Sequence, residues 1–191
     1  MIVSVRWRFV YLGMKRTGSV ATEATLLEKL PGAVRCGKRH DVEVPRAFRR
    51  FKKLAVHRNP YAREYSLYCY AQKNSPAHPL KRRVKRMTFR EYVLAHVSGK
   101  LDRPGEPWDL PLATLTKALV GVLWLPFEEM PVCMEAELKR LTGASLSLYR
   151  RNKAMLGDWR GQYDEELAGQ VAQYAAPDFA AYGYDTESWR E

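Results

Sequence analysis

The chain has 191 residues, 46% of them hydrophobic, and carries 32 basic against 21 acidic side chains for a net charge of +11 and a pI near 9.7. That length supports one substantial core and is short for two, so a single domain spanning 1–191 is expected. The positive excess excludes no anion: nucleic acid, an acidic membrane surface, an anionic cofactor and a polyanionic acceptor all fit it, and motif geometry has to choose between them. Cys36, Cys69 and Cys133 are odd in number, widely spaced and free of any C-x-x-C pair. This argues against a disulfide framework or a zinc ribbon and predicts reduced, buried thiols.

Residues 1–11 alternate aromatic or aliphatic side chains with Arg6 and Arg8, unlike the uninterrupted apolar region of a secretory signal. No later segment approaches the roughly 20 apolar residues of a membrane helix. A cytoplasmic protein without a membrane span is expected. Residues 3–12 have strand composition. A helix over 17–30 follows, spaced through Val20, Ala24, Leu27 and Leu30 and stopped by Pro31-Gly32. A second short strand is predicted over 33–36, a short helix over 44–51 and a third strand around 54–56. Pro60 suits the first turn of a helix over 60–72.

Residues 73–87 hold Pro76, Pro79 and the run Lys81-Arg-Arg-Val-Lys-Arg86, which reads as an exposed basic loop. Thr88-Phe-Arg-Glu91 is a capping box that opens a helix ending near Ser98-Gly99. Pro104, Gly105, Pro107 and Pro111 mark a long loop; the apolar run 118–125 is either a late strand or a buried helix. Helices are predicted over 134–141 and from Tyr163 to Ala176. Strands alternating with helices predict an α/β fold, a three-layer α/β/α domain with a central parallel sheet and ligands at the strands' carboxyl ends.

Two strand-to-helix junctions carry the chemistry. Gly13-x4-Gly18-Ser19 has the outline of a nucleotide-binding P-loop, but Ser19 replaces the lysine that reaches the terminal phosphates, which lowers the case for an NTPase. What remains is a backbone cradle with Lys15, Arg16, Thr17, Ser19 and Thr22 around it, able to bind phosphate or sulfate without metal. At the second junction Arg58 precedes the helix at Pro60, and Ser66 lies about two turns on. With free amides and a partial positive charge at that helix start, the two side chains would converge on one phosphate. Two junctions suggest a ligand with two phosphate-like groups.

These residues resemble a family. Arg16-Thr-Gly-Ser-Val-Ala-Thr-Glu-Ala-Thr-Leu26 resembles the Lys-Thr-Gly-Ser-Thr-Ser loop of sulfotransferases, and Val56-His-Arg-Asn-Pro-Tyr-Ala-Arg-Glu-Tyr-Ser66 is similar to their second signature. Gly37-Lys-Arg-His-Asp41 resembles the Gly-Lys-His-Ala stretch of bacterial and carbohydrate-type members, and Thr88-Phe-Arg-Glu-Tyr-Val93 their helix after the basic loop. The tail from Tyr163 through Asp178-Phe-Ala-Ala-Tyr-Gly-Tyr184 resembles their closing helix and Asp-Phe-x-x-Phe-Gly-Tyr end. The matches run in order from Val5 to Tyr184 and are weakest over 99–161.

The resemblance implies a P-loop-like sulfotransferase fold. It also implies 3′-phosphoadenosine 5′-phosphosulfate (PAPS) as sulfuryl donor, 3′-phosphoadenosine 5′-phosphate (PAP) as product, no metal, and a small-molecule or carbohydrate acceptor with a hydroxyl or amine. Lys15 or Arg16, with Thr17, Gly18, Ser19, Val20, Ala21 and Thr22, would hold the phosphosulfate; Arg58 and Ser66 would hold the 3′-phosphate. His40, matching a histidine of related sequences, is the first candidate base and Glu23 the second. Their plainer readings are a surface or capping histidine and a solvated or capping carboxylate. Val20-Ala21 stands where the family has Thr-Ser, so two hydroxyls are missing and Thr17, Ser19 and Thr22 would compensate. This leaves a nucleotide binder without transfer activity as one alternative, and a nucleic-acid-binding protein as another. Arg150, Arg151 and Lys153 would close over the nucleotide, and His57 has a minor role. His78 and His96 are expected at the surface, and Trp108, Trp124 and Trp159 in the core or the acceptor wall.

Overall fold

The computed structural model describes residues 1–73, 79–102, 109–149 and 158–190. The strands are β1 (Ile2–Ser4), β2 (Phe9–Leu12), β3 (Ala33–Arg35), β4 (Lys52–His57) and β5 (Val122–Pro126). The helices are α1 (Ser19–Lys29), α2 (Pro60–Lys73), α3 (Pro79–Val84), α4 (Phe89–Val97), α5 (Leu112–Leu115), α6 (Val132–Thr142), α7 (Glu165–Tyr174) and α8 (Ala176–Tyr182). Contacts divide the chain into two units, Met1–Arg58 with Thr116–Lys153, and Asn59–Leu115 with Ala154–Glu191.

The first unit holds the sheet, in the order β3-β1-β2-β4-β5. The single strand expected over 3–12 is instead a hairpin, in which Arg8, at φ 51°, donates its amide to the Val5 carbonyl at 3.3 Å. Charge is the reason: both arms are buried, and a straight strand would carry Arg6 and Arg8 inside with them, whereas the turn leaves both guanidinium groups in water. β2, β4 and β5 are parallel, while β1 is antiparallel to β2 and β3. Four strands therefore run one way and β1 against them, which corrects the all-parallel expectation; the architecture is α/β with an open, mostly parallel sheet.

Period-two alternation sends Ile2, Phe9, Tyr11, Leu54 and Val56 to one face of the sheet, where they pack against Leu26 of α1 and Leu30 at its C-terminal cap, Met134 and Leu138 of α6, and Leu146 and Leu148. The four-residue spacings in α1 and α6 put each pair on one helix face. Val3, Val10, Leu12 and Ala55, on the other face, are fully buried as well. Of the run 118–125, undecided from periodicity, residues 122–125 fall in strand β5 and 118–121 lie ahead of it, and the helix expected over 44–51 shrinks to a single 3-10 turn at Arg46–Phe48. Cys36, Cys69 and Cys133 are unbridged and half-buried rather than buried.

The second unit is helical and packs around aromatic rings. Phe89 meets Tyr65 edge-on at 5.2 Å and Tyr163 at 5.2 Å, and Tyr61 meets Phe179 at 5.2 Å. Half-buried Trp159 packs on the same cluster. The capping box forms as predicted, with Thr88 N–H donating to Glu91 Oε2 at 2.7 Å and the Glu91 amide to Thr88 Oγ1 at 3.3 Å. The expected basic loop contains α3, because fully buried Val84 anchors the segment and Gln72 Nε2 donates to the carbonyls of Val84 and Met87 at 3.0 and 3.2 Å. The closing helix breaks at Ala175, and Pro177, which cannot donate to a preceding turn, lies in the first turn of α8. His96, expected at the surface, is 2% exposed. Its ring lies against Glu64 and Tyr174, partners the sequence does not place beside it.

Candidate functional site

At the carboxyl end of β2 the chain passes through residues 13–18 into α1. Arg16, at φ 64°, and Gly18, at φ 74°, both adopt left-handed backbone, which turns the strand into the helix within six residues. Gly18 caps α1 without a side-chain hydrogen bond; the Ala21 amide donates to the Gly18 carbonyl at 3.1 Å, which leaves the amides of Ser19 and Val20 as the leading donors at the loop. Lys15 is exposed and Arg16 half-buried at the loop's outer side, and Val20 is 38% exposed. Ser19 is buried beside the loop.

Two hydroxyls proposed to replace the missing pair serve the loop itself. Thr17 Oγ1 donates to the Met14 carbonyl at 3.1 Å and Thr22 Oγ1 to the Gly18 carbonyl at 3.4 Å, and both side chains are buried. Ala21 is half-buried beside them.

Arg58 and His40 reach the same loop from two other elements. Arg58, just past the end of β4, donates from Nη1 to the Arg16 carbonyl at 3.1 Å and lies 4.3 Å from the ring centre of Phe127. That ring also limits the loop from above, since a Cβ at Gly18 would come within 3.2 Å of it. His40, at φ 68°, places Nδ1 2.6 Å from the Gly13 carbonyl. A carbonyl only accepts, so Nδ1 carries the proton and Nε2 the lone pair. Burial lowers the His40 pKa from the ordinary histidine value, against the opposing pull of the Gly13 carbonyl and the Glu23 charge. Burial likewise lowers the pKa of His57, at the end of β4, despite the charges of Glu128 and Glu129.

Glu23 is the largest departure from expectation. Rather than a solvated carboxylate it is fully buried, with Oε2 receiving Arg35 Nη1 at 2.8 Å and Arg39 Nε at 3.1 Å. Its Oε1 has no hydrogen-bond partner among the described residues and lies directly beneath Gly13, in the space a Cβ there would occupy. Glycine at 13 is thus required by close approach. Gly13→Ala is expected to displace a carboxylate anchored by two arginines and to cost about 1–3 kcal/mol, measured as a lowered urea midpoint at unchanged m-value. An unchanged midpoint would show that the loop yields freely.

The second junction differs from expectation at its amides. Asn59 Oδ1 accepts from the amides of Tyr61 at 3.0 Å and Ala62 at 3.3 Å, the Arg63 amide donates to the Asn59 carbonyl at 2.9 Å, and Pro60 has no amide to give. The start of α2 is capped from within and offers no row of free donors. Ser66 is buried on its second turn, in the second unit, while Arg58 belongs to the first. In the second unit Arg82, Arg83, Arg86 and Met87 line an open hollow of about 520 Å³.

The positions His78, Trp108, Arg150, Arg151 and Lys153, and the side chain of Lys81, lie outside the described residues. Trp124 is half-buried within β5. Among the described residues no group of His, Cys, Asp and Glu is arranged to hold a metal ion, and no helix is long and apolar enough to cross a membrane.

Sequence reasoning did not find Phe127, Arg35 or Arg39 as parts of this site. The arginines are visible beside Gly37-Lys-Arg-His, yet nothing in their spacing pairs them with Glu23. Asn59 before Pro60, by contrast, is a legible N-cap signal. Compared with family models, curated proteins and solved structures, the chain matches none.

Proposed function

We propose that this protein is a P-loop-like sulfotransferase that moves the sulfuryl group of PAPS to a hydroxyl or amine of a carbohydrate or small-molecule acceptor. The observation that carries the reading is the meeting, on the loop between β2 and α1, of a guanidinium from the end of β4 and an imidazole whose Nε2 is left to act as base.

PAPS would supply an activated sulfuryl group, and transfer leaves negative charge on the phosphate oxygen it departs from. Lys15, Arg16 and the first amides of α1 are the groups that offset this charge. Arg58 ties the loop's Arg16 carbonyl in place and adds positive charge beside it. His40, held neutral by its lowered pKa, takes the acceptor's proton at Nε2 as the acceptor oxygen bonds to sulfur and the bond from sulfur to the phosphate oxygen breaks. Glu23, buried beneath Gly13, holds Arg35 and Arg39 beside the loop.

A second reading, a nucleotide binder that does not transfer, is favoured by one observation. Val20 is exposed where the family places a hydroxyl, and the Thr17 and Thr22 hydroxyls are turned to internal carbonyls.

Calorimetric titration with PAP, with adenosine 5′-phosphate as control, tests the donor site. Micromolar binding that requires the 3′-phosphate, weakened about ten- to hundredfold in Arg58→Ala, is expected. Equal affinity for the two nucleotides would sink the proposal. Transfer from PAPS in an acceptor screen then separates the enzyme from the silent binder.

A further inference from the structure

The end of the sheet opposite the nucleotide loop has its own character. Strand registers bring Ser4, Phe9 and Lys52 into line there, and Lys53 faces Val122. The β1–β2 turn at 5–8, the segment 45–51 that leads into β4, and Val120-Gly121 ahead of β5 therefore leave the sheet at one edge. Direct contacts join the first two: the Lys52 amide donates to the Arg8 carbonyl at 2.9 Å, and the Arg8 guanidinium lies 5.1 Å from the Phe51 ring centre.

Charge is concentrated at this edge. Residues 5–8 and 45–53 together hold 7 arginines and lysines in 13 positions and no Asp or Glu. Arg6 and Arg8 are exposed in the turn, and Arg46, Arg49 and Arg50 in the segment before β4. Lys52 is exposed too and pairs with Glu137 of α6 at 3.1 Å. Amid these cations two aliphatic side chains stand in water, Val5 at 57% and Val120 at 81% exposure.

The geometry points to this edge as a docking surface for an anionic lipid bilayer, with the arginines over the headgroups and Val5 and Val120 entering the interfacial layer. Arginine density alone would equally suit a nucleic-acid backbone, so the valines decide. Exposed aliphatic side chains gain nothing beside phosphates in water, but gain burial at a membrane interface where the cations are also attracted. Two of the rings at this edge argue the same way. Arg6 covers Trp7 at 4.8 Å and Arg8 covers Phe51, so these rings brace guanidinium groups rather than offer faces to bases. Binding of this kind is peripheral, reversible and weakened by salt. It rests on none of the residues assigned to the nucleotide.

Co-sedimentation with phosphatidylcholine vesicles, with and without about one-third phosphatidylserine, tests this. The protein is expected to sediment with the anionic vesicles only. Arg49→Glu combined with Arg50→Glu should weaken that binding about tenfold or more, and Val120→Asp about three- to fivefold, with far-UV circular dichroism unchanged. Failure to distinguish the two vesicle types would overturn the inference. So would full binding by Val120→Asp, which would leave charge alone as the cause, or displacement from vesicles by duplex DNA at lower concentration than by soluble phosphatidylserine, which would assign the edge to nucleic acid.

Discussion

Asp109→Ala is expected to lower folding stability by about 3–5 kcal/mol, because it leaves Arg63 as a buried charge whose ion-pair partner has been removed. The two side chains form an ion pair with exposures of 5% and 1%. Burial works against charge on Arg63, and the carboxylates of Asp109, Asp178 and Glu64 together outweigh it, so its pKa is raised. The pair belongs to a larger fixing of residues 109–113 within the helical unit. The Asp109 carbonyl accepts from Tyr174 OH at 2.7 Å, and Asp178 accepts from the amides of Leu112 and Ala113 at 2.9 and 2.7 Å. Urea denaturation checks the expectation, with Arg63→Ala and the double variant completing a cycle. The double variant should cost little more than either single change, since each already breaks the same pair. A loss below about 1 kcal/mol in Asp109→Ala would mean that Arg63 is solvated after all.

The other large effect is in pH. His96 Nδ1 meets Glu64 Oε1 at 2.5 Å, and Nε2 lies 3.2 Å from the Asp109 carbonyl and 3.4 Å from Tyr174 OH. Burial disfavours the charged ring, but the Glu64 charge and hydrogen bond, together with the Asp109 carbonyl, raise the net pKa above the usual histidine value. A folded pKa raised above the unfolded one gives stability that is complete below about pH 6.5 and is lost as pH rises through the folded value. The native protein should therefore lose stability on going from mildly acidic to alkaline pH. His96→Gln should be less stable by about 2–4 kcal/mol at acidic pH and should lack this alkaline decline. Urea midpoints across that range decide it; the same slope in both proteins would place the titration elsewhere.

Several elements were legible from local signals alone. The predicted helix over 60–72 is α2, Pro60–Lys73, and the one over 17–30 is α1, shortened at its start because residues through Gly18 are needed for the loop. The capping box, the Pro31-Gly32 stop and the third strand also stand where the sequence places them. Elsewhere the local pattern misled. Residues 3–12 alternate like one strand, and only the burial of both arms reveals the turn between them. The Lys81–Arg86 run is charged enough to pass for loop, yet buried Val84 and the hydrogen bonds from Gln72 anchor a helix there.

For the candidate site, the loop and its neighbours Arg58 and His40 could be named from sequence, because each stands directly after a strand or in the connection that follows one. The state of Glu23 could not. Its ion pairs lie 12 and 16 residues away, and its burial depends on how α1 packs against the strand and loop that carry those arginines.

By itself, then, the sequence determined whatever is settled within a few residues of chain: helix starts and stops, the capping box at Thr88, the glycine loop and the surplus of positive charge. Tertiary structure alone decided which polar groups lie inside. His96 and Glu64 are 32 residues apart, Arg63 and Asp109 46, and Asp178 is 65 from the amide of Ala113 that it holds. A buried charge is tolerated only where a distant partner completes it, and no local pattern carries that information. The same reason hid the basic edge, whose cations come from two segments that become neighbours only when β2 pairs with β4.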